Sequence, residues 1–165
     1  MEIGSGFGVL PHCIIENFSN IRKIVIVDIC PNLYISNSYI QSFYGNQVRS
    51  FDSFKKGEKI KFKDDNSLEI FFLLPDQIVD LDFKFDYFNN SHSFIEMPSE
   101  IVSNYANKVQ LLLHNNSKIS LLSYNNNYEN TLDANSLPSF FKDVDFNSFE
   151  NRDIFGDTVL FHIGE

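Results

Sequence analysis

The first stretch of this chain equipped for chemistry is Glu2-Ile3-Gly4-Ser5-Gly6-Phe7-Gly8, an E-x-G-x-G-x-G run. Glycines at every second position permit positive φ angles, and without a Cβ they let backbone come close to a bound molecule. Twenty positions after Gly8, Asp28 stands at the end of the apolar run Lys23 to Ile29, KIVIVDI. A carboxylate ending a buried strand is costly unless donors or water meet it, and the vicinal hydroxyls of a ribose supply two such donors. The glycine spacing differs from G-x-G-x-x-G, which seats a pyrophosphate on a helix N-terminus, so a nicotinamide enzyme is disfavoured.

Such a turn works only at the carboxyl end of a strand, so the surrounding elements matter. Residues 1–8 read as the tail of a strand and its exit. Val9 to Asn17 follows with Leu10, Ile14 and Ile15 on helical spacing, and Pro11 fits a first turn, where its missing N–H costs nothing. The nearly continuous apolar KIVIVDI fits a strand buried on both faces. Leu33 to Tyr44 reads as a helix ending near Gly45, and Val48 to Phe51 as a short strand. Residues 57–74 read as a hairpin or an irregular insertion, with a turn at Asp64-Asp65-Asn66 between IKF and LEIFFLL. Further strands are expected at Asp86 to Asn90, Ile119 to Tyr124 and Thr158 to Ile163. Helices are expected at Pro98 to Leu113, with Ile101, Val102, Tyr105, Val109 and Leu112 on one stripe, and near Leu137 to Val144. The Asn-rich stretch through residues 125–136 reads as a mobile loop. This alternation predicts one α/β domain over residues 1–165, a Rossmann-like open and mostly parallel sheet with helices on both faces.

EIGSGFG followed by IVIVDICPNLYISNSYIQSFYG resembles the first two cofactor motifs of class I S-adenosylmethionine-dependent methyltransferases. LLPDQIVDLDFKFDYFNNSHSFIEMPSEIVSNYANKV is similar, more narrowly, to the sugar O-methyltransferases of bacterial surface-polysaccharide clusters. The likeness covers roughly residues 2–124. It implies that Glu2, Gly4, Gly6 and Gly8, with Ser5 inside the turn, line the methionine part of S-adenosylmethionine, and that Asp28 holds the ribose. Leu74 and Gln77 would border the adenine, while Asn90, Ser91 and His92 would face the methyl group and the acceptor. In that family the first strand starts several residues before the glutamate, so the resemblance implies an N-terminally truncated domain whose first strand is largely missing.

Methyl transfer to a sugar hydroxyl profits from a base whose pKa lies near the working pH, which points to histidine. His92, at the lip of the Asp86 strand, is the first candidate, and its plain alternative is a loop histidine bonded to nearby carbonyls. Glu96 is the second candidate, although an acid just before a helix also suits the helix dipole. His12 reads as a surface residue of the first helix. His114 reads as a cation at a helix C-terminus, and His162 as one member of an alternating strand. No spacing among them suggests a metal site.

The chain has 165 residues, eighteen Phe, seven Tyr, no Trp and a formal charge of −9. An acidic surface repels phosphate backbones, which argues against nucleic acid as the partner. Lys55, Lys56, Lys59, Lys61 and Lys63, interleaved with Glu58, Asp64 and Asp65, read as a solvated hairpin face. Cys13 and Cys30 lie in apolar settings and read as buried free thiols. The absence of a signal-like start and of any ~20-residue apolar run predicts a cytoplasmic protein without a membrane span. Its expected partner is a small-molecule or glycan acceptor, and open sheet edges would allow a homo-oligomer. Two alternatives stand beside this reading: an inactive methyltransferase remnant, and an acidic immunity-type protein that masks a basic partner.

Overall fold

The computed structural model describes residues 1–124, 131–152 and 157–165. Its contacts group the chain into two units, Met1–Phe83 and Lys84–Glu165.

In the first unit, strands β1 (Glu2–Ile3) and β2 (Lys23–Val27) flank helix α1 (Val9–Asn17). Helix α2 (Asn32–Tyr44), strand β3 (Val48–Arg49) and strand β4 (Glu69–Leu73) follow. The spatial order is β3-β4-β2-β1, with every pair parallel. Strand β2 is aligned with β4 from Lys23↔Glu69 to Val27↔Leu73, and with β1 through Glu2↔Ile26 and Ile3↔Val27. All five residues of β4 and four of the five in β2 are buried, the signature of strands covered on both faces. Ile24, Ile26, Ile70 and Phe72 pack with Leu33 and Ile40 of α2 and Val48 of β3, and Ile15 of α1 joins them. Phe71 points the other way. It stacks on Phe62 at 4.2 Å between ring centroids and meets Phe54 at 5.2 Å, so aromatic side chains from an irregular segment cover the sheet there.

Of the two readings for residues 57–74, the hairpin does not form and the part before β4 is irregular. Only the second half becomes a strand, β4, and both edges of β4 are already taken by β2 and β3. The IKF segment has no edge to join. Ile60 instead makes a lone parallel bridge to Leu81, and Phe62 lies against Phe71.

The second unit holds strand β5 (Phe85–Ser91), helix α3 (Ser99–Leu111), and strands β6 (Leu113–Tyr124), β7 (Phe146–Arg152) and β8 (Thr158–Gly164). β5 and β6 are parallel, and β8 lies antiparallel between β6 and β7. β6 begins six residues before the expected strand. A register shift between Phe85 and Tyr87 absorbs the extra residues, and the Ser117 hydroxyl secures it by accepting from the His114 N–H at 2.8 Å and donating to the Phe85 carbonyl. His114 is therefore an exposed strand residue rather than a helix-end cation.

Other expectations are also revised. β7 was not legible, because its outer residues are polar or charged and almost all exposed. The tail helix is a 3₁₀ segment, Ala134–Phe140, whose internal Pro138 removes an α-helical donor. That segment also structures the end of the expected loop, whose residues 125–130 lie outside the described residues. In α3 the buried stripe is Val102, Tyr105, Ala106 and Val109, whereas Ile101 is exposed. Both cysteines are free as expected, but exposed rather than buried. No helix among the described residues is long and apolar enough to cross a membrane.

Candidate functional site

β1 ends at Ile3, and the chain turns at once through three glycines with positive φ: Gly4 at 76°, Gly6 at 55° and Gly8 at 82°. The Gly4 N–H still donates to the Val27 carbonyl at 2.8 Å, which extends the β1–β2 pairing by one rung, and the Gly8 N–H donates to the Ser5 carbonyl at 2.9 Å. A Cβ on Gly8 would sit 3.3 Å from both Ile40 and Ser36 of α2, so this glycine answers to close packing as well as to backbone conformation. A Cβ on Gly6 would meet nothing within 4 Å. The turn is thus tight on its helix side and open at its middle.

Asp28, the first residue after β2, faces this turn. Its Oδ2 accepts from the Gly6 N–H at 3.1 Å and its Oδ1 from the Ile29 N–H at 2.8 Å. The residue is only 8% exposed. Burial raises its carboxyl pKa above the ordinary value, while backbone donors from Ile29, Gly6 and Ser5 act in the opposite direction. A carboxylate has about four acceptor positions, so three backbone donors leave room for one more. From sequence, Asp28 was expected to hold a ligand. In the fold it clamps the glycine turn to the end of β2.

The remaining turn residues are also in place. Glu2 is buried in β1 opposite Ile26. The Ser5 hydroxyl is buried and has no hydrogen-bond partner among the described residues, and an orphaned polar group of this kind in a native site calls for a ligand or a strain account. Phe7 is 69% exposed beside Gly6, and Ile29 is 61% exposed beside Asp28. Neither apolar side chain was singled out from sequence. Their adjacency to the glycines and the acid was the available signal.

Leu74 and Gln77 lie where β4 ends. Leu74 is half-buried against the α2 side of the sheet. Gln77 accepts from the Leu74 N–H at 2.8 Å and donates to the Phe51 carbonyl at 3.0 Å, so its amide shapes the exit of β4. His12, expected on the surface, packs against Tyr39, Phe43 and Tyr44, with its Nδ1 2.7 Å from the Tyr39 hydroxyl; it knits α1 to α2 beneath the turn.

In the second unit, β5 ends in a turn that presents His92. Asn90 is buried and committed to that turn: its amide donates to Ser93 Oγ at 2.6 Å and accepts from the Phe94 N–H at 3.1 Å. Ser91, opposite Leu122, is the last paired residue of β5, and the His92 N–H donates to the Leu122 carbonyl at 2.7 Å. His92 has φ 66°, uncommon for a residue with a Cβ. Its ring stacks on Tyr124 at 4.1 Å, and its Nδ1 is buried without a hydrogen-bond partner among the described residues. Burial lowers its pKa, partly offset by Glu96, which favours the neutral ring. Glu96 itself is exposed.

No family model matches the chain, and no curated protein matches it in sequence. Solved structures do. The mitomycin 7-O-methyltransferase MmcR matches over 99% of this chain with a TM-score of 0.64 at 11% identity. A methyltransferase from Pyrococcus furiosus matches over 99% with a TM-score of 0.63 at 11% identity. The magnesium protoporphyrin IX methyltransferase ChlM from Synechocystis PCC 6803, solved with bound SAM, matches over 99% with a TM-score of 0.60 at 11% identity. The chain spans 48% of the first of these, 72% of the second and 68% of the third. At such identities the likeness concerns the backbone, and on that basis the chain has the fold of the S-adenosylmethionine-dependent methyltransferases.

Proposed function

We propose that this chain is the cofactor-binding core of an S-adenosylmethionine-dependent methyltransferase that methylates a sugar hydroxyl during surface-polysaccharide synthesis. The observation that carries the cofactor reading is the Gly6–Asp28 clamp: an open glycine turn, an orphaned Ser5 hydroxyl and a buried carboxylate with one acceptor position to spare, all at the carboxyl ends of adjacent parallel strands. Those features fit an adenosine bearing a charged sulfur. In this reading Gly4 to Gly8, with Glu2 and Ser5, receive the methionine part, and Asp28 receives a ribose hydroxyl. Leu74 and Gln77, which shape the exit of β4, border the adenine. The sugar acceptor rests on sequence resemblance alone, since the solved relatives act on several acceptors by their own names.

When bound, S-adenosylmethionine supplies a methyl group already activated by its sulfonium. The chain's residues then have to position the acceptor and deal with its proton. His92 is the proposed base. Burial lowers its pKa and so favours the neutral imidazole, the form able to accept a proton, and the stacked Tyr124 ring fixes its plane. Asn90 and Ser91 build the turn that holds it, and the charge of Glu96, which favours the protonated ring, would stabilise the imidazolium once formed. The methyltransferase fold does not favour the reading as an acidic masking protein.

Isothermal calorimetry with S-adenosylhomocysteine tests the cofactor claim. Saturable one-site binding is expected, and at least tenfold weaker binding in Asp28→Ala. No heat from the native chain would end the proposal.

A further inference from the structure

Away from the glycine turn, the first unit carries a hollow lined by basic residues. On the side of the sheet where Phe71 points, a groove opens between the end of β3 and the irregular segment that follows. Its floor is apolar, made by buried Phe54 and Ile60. Its walls carry Arg49, Lys55, Lys59 and Lys61, with Glu58 the one acid among the lining residues and Asp82 beside Lys61 and near Lys59.

Arg49 is ordered without a carboxylate. Its guanidinium carbon lies 4.2 Å from the Phe54 ring centroid and 5.2 Å from that of Phe71. Stacking of this kind fixes the plane of the guanidinium and leaves its edge N–H donors for a ligand. Lys61 is neutralised by Asp82 at 2.7 Å. Arg49, Lys55 and Lys59 make no ion pair among the described residues. Arg49, Lys55 and Lys59 stand around one hollow against Glu58 within it and Asp82 near Lys59, so the groove keeps a net positive charge that a bound anion relieves.

We propose that this groove is a site for a compact phosphate-class anion, a phosphate monoester or a diphosphate. A planar guanidinium fork with flanking ammonium groups matches the geometry and charge of phosphate oxygens. A single carboxylate leaves most of the charge unanswered. A nucleic acid backbone is a poor fit, because the acidic remainder of the chain repels an extended polyanion. From sequence the lysines read as a solvated face. Arg49, brought in from β3 and held over two rings, is what makes them the walls of a site. Anion binding in this groove does not depend on methyl transfer.

The test is calorimetric titration of the native chain with inorganic pyrophosphate at constant ionic strength, with sulfate and citrate as comparison anions. Pyrophosphate is expected to bind at one site and more tightly than either, with affinity at least tenfold weaker in both Arg49→Gln and Lys59→Gln. S-adenosylhomocysteine affinity is expected to stay unchanged in Lys59→Gln, whose side chain is exposed and outside the core. If Arg49→Gln fails to fold, Lys59→Gln decides alone. Absence of pyrophosphate binding, equal binding in the variants, or citrate binding as tightly as pyrophosphate would overturn the proposal. Loss of S-adenosylhomocysteine binding in Lys59→Gln would overturn it as well, by making the groove part of the cofactor site.

Discussion

Asp28 is subject to two influences that pull its protonation in opposite directions. Burial favours the neutral acid, and the backbone donors of the glycine turn favour the carboxylate. Asp28→Asn keeps the size and one acceptor oxygen but places an NH₂ group against a backbone N–H. We therefore expect it to weaken S-adenosylhomocysteine binding nearly as much as Asp28→Ala, measured by calorimetry; wild-type affinity in Asp28→Asn would show that the negative charge is dispensable. Gly8 tests the turn from the other side. Alanine there must adopt φ near 82° and press on Ile40 and Ser36 at 3.3 Å. A left-handed conformation costs an L-residue roughly 1–2 kcal/mol, so Gly8→Ala is expected to lose at least that much stability in urea denaturation. His92→Gln is expected to abolish methyl transfer to a hydroxyl acceptor while leaving cofactor affinity within twofold; unchanged turnover would remove His92 as the base.

At the scale of elements, the β7–β8 pair depends on residues that look unremarkable in the sequence. His162 of β8 is 2% exposed. Its Nε2 lies 3.0 Å from the Ala134 carbonyl, which can only accept, so Nε2 carries the proton. Nδ1 is then the acceptor for the Ser148 hydroxyl at 2.7 Å. Burial lowers the His162 pKa below 6.5, with the Ala134 bond opposing that shift. The unfolded chain therefore binds a proton that the folded chain refuses, and stability rises with pH across that interval. The contribution of His162 is complete above pH 6.5 and is lost as pH falls toward the folded-state value. His92 is shifted in the same direction and adds to the trend. Urea midpoints measured from pH 5 to pH 8 should increase with pH, and His162→Gln should flatten the curve. At Gly164 a Cβ would lie 2.6 Å from Val144 and 2.8 Å from Phe146. Overpacking of this size costs about 1–3 kcal/mol, and Gly164→Ala should show it as a lowered thermal midpoint.

For the whole molecule, ligand binding and stability are linked. If the chain binds S-adenosylhomocysteine, a concentration of 100 times Kd should add about 2.7 kcal/mol to its stability, visible as a rise in thermal midpoint that Asp28→Ala largely abolishes. Association is a second property of this scale. β7 is an edge strand with nearly every residue exposed, and it carries Glu150 and Arg152. Charges on an edge discourage pairing with another copy, so light scattering is expected to give a monomeric mass that does not change on dilution, against the expectation of pairing through open edges.

Much of the site and of the α/β alternation was legible from local pattern. Glycines at alternate positions, a continuous apolar run and an acid at its end specify a strand, a turn and another strand through backbone conformation and burial alone, and β2, α1 and α2 lie where those patterns put them. Long-range competition decided the rest. LEIFFLL became a central strand and IKF did not, because a strand has two edges and β2 and β3 occupy both. β7 forms from polar residues because β8 offers an open edge, which no property of FNSFENR announces. Asp28 reaches back to Gly6, and Arg49 settles over Phe54 and Phe71, only once distant segments are packed together. Local sequence can specify conformation and the chance of burial, whereas a partner for a charge or a strand edge exists only after the chain has closed on itself.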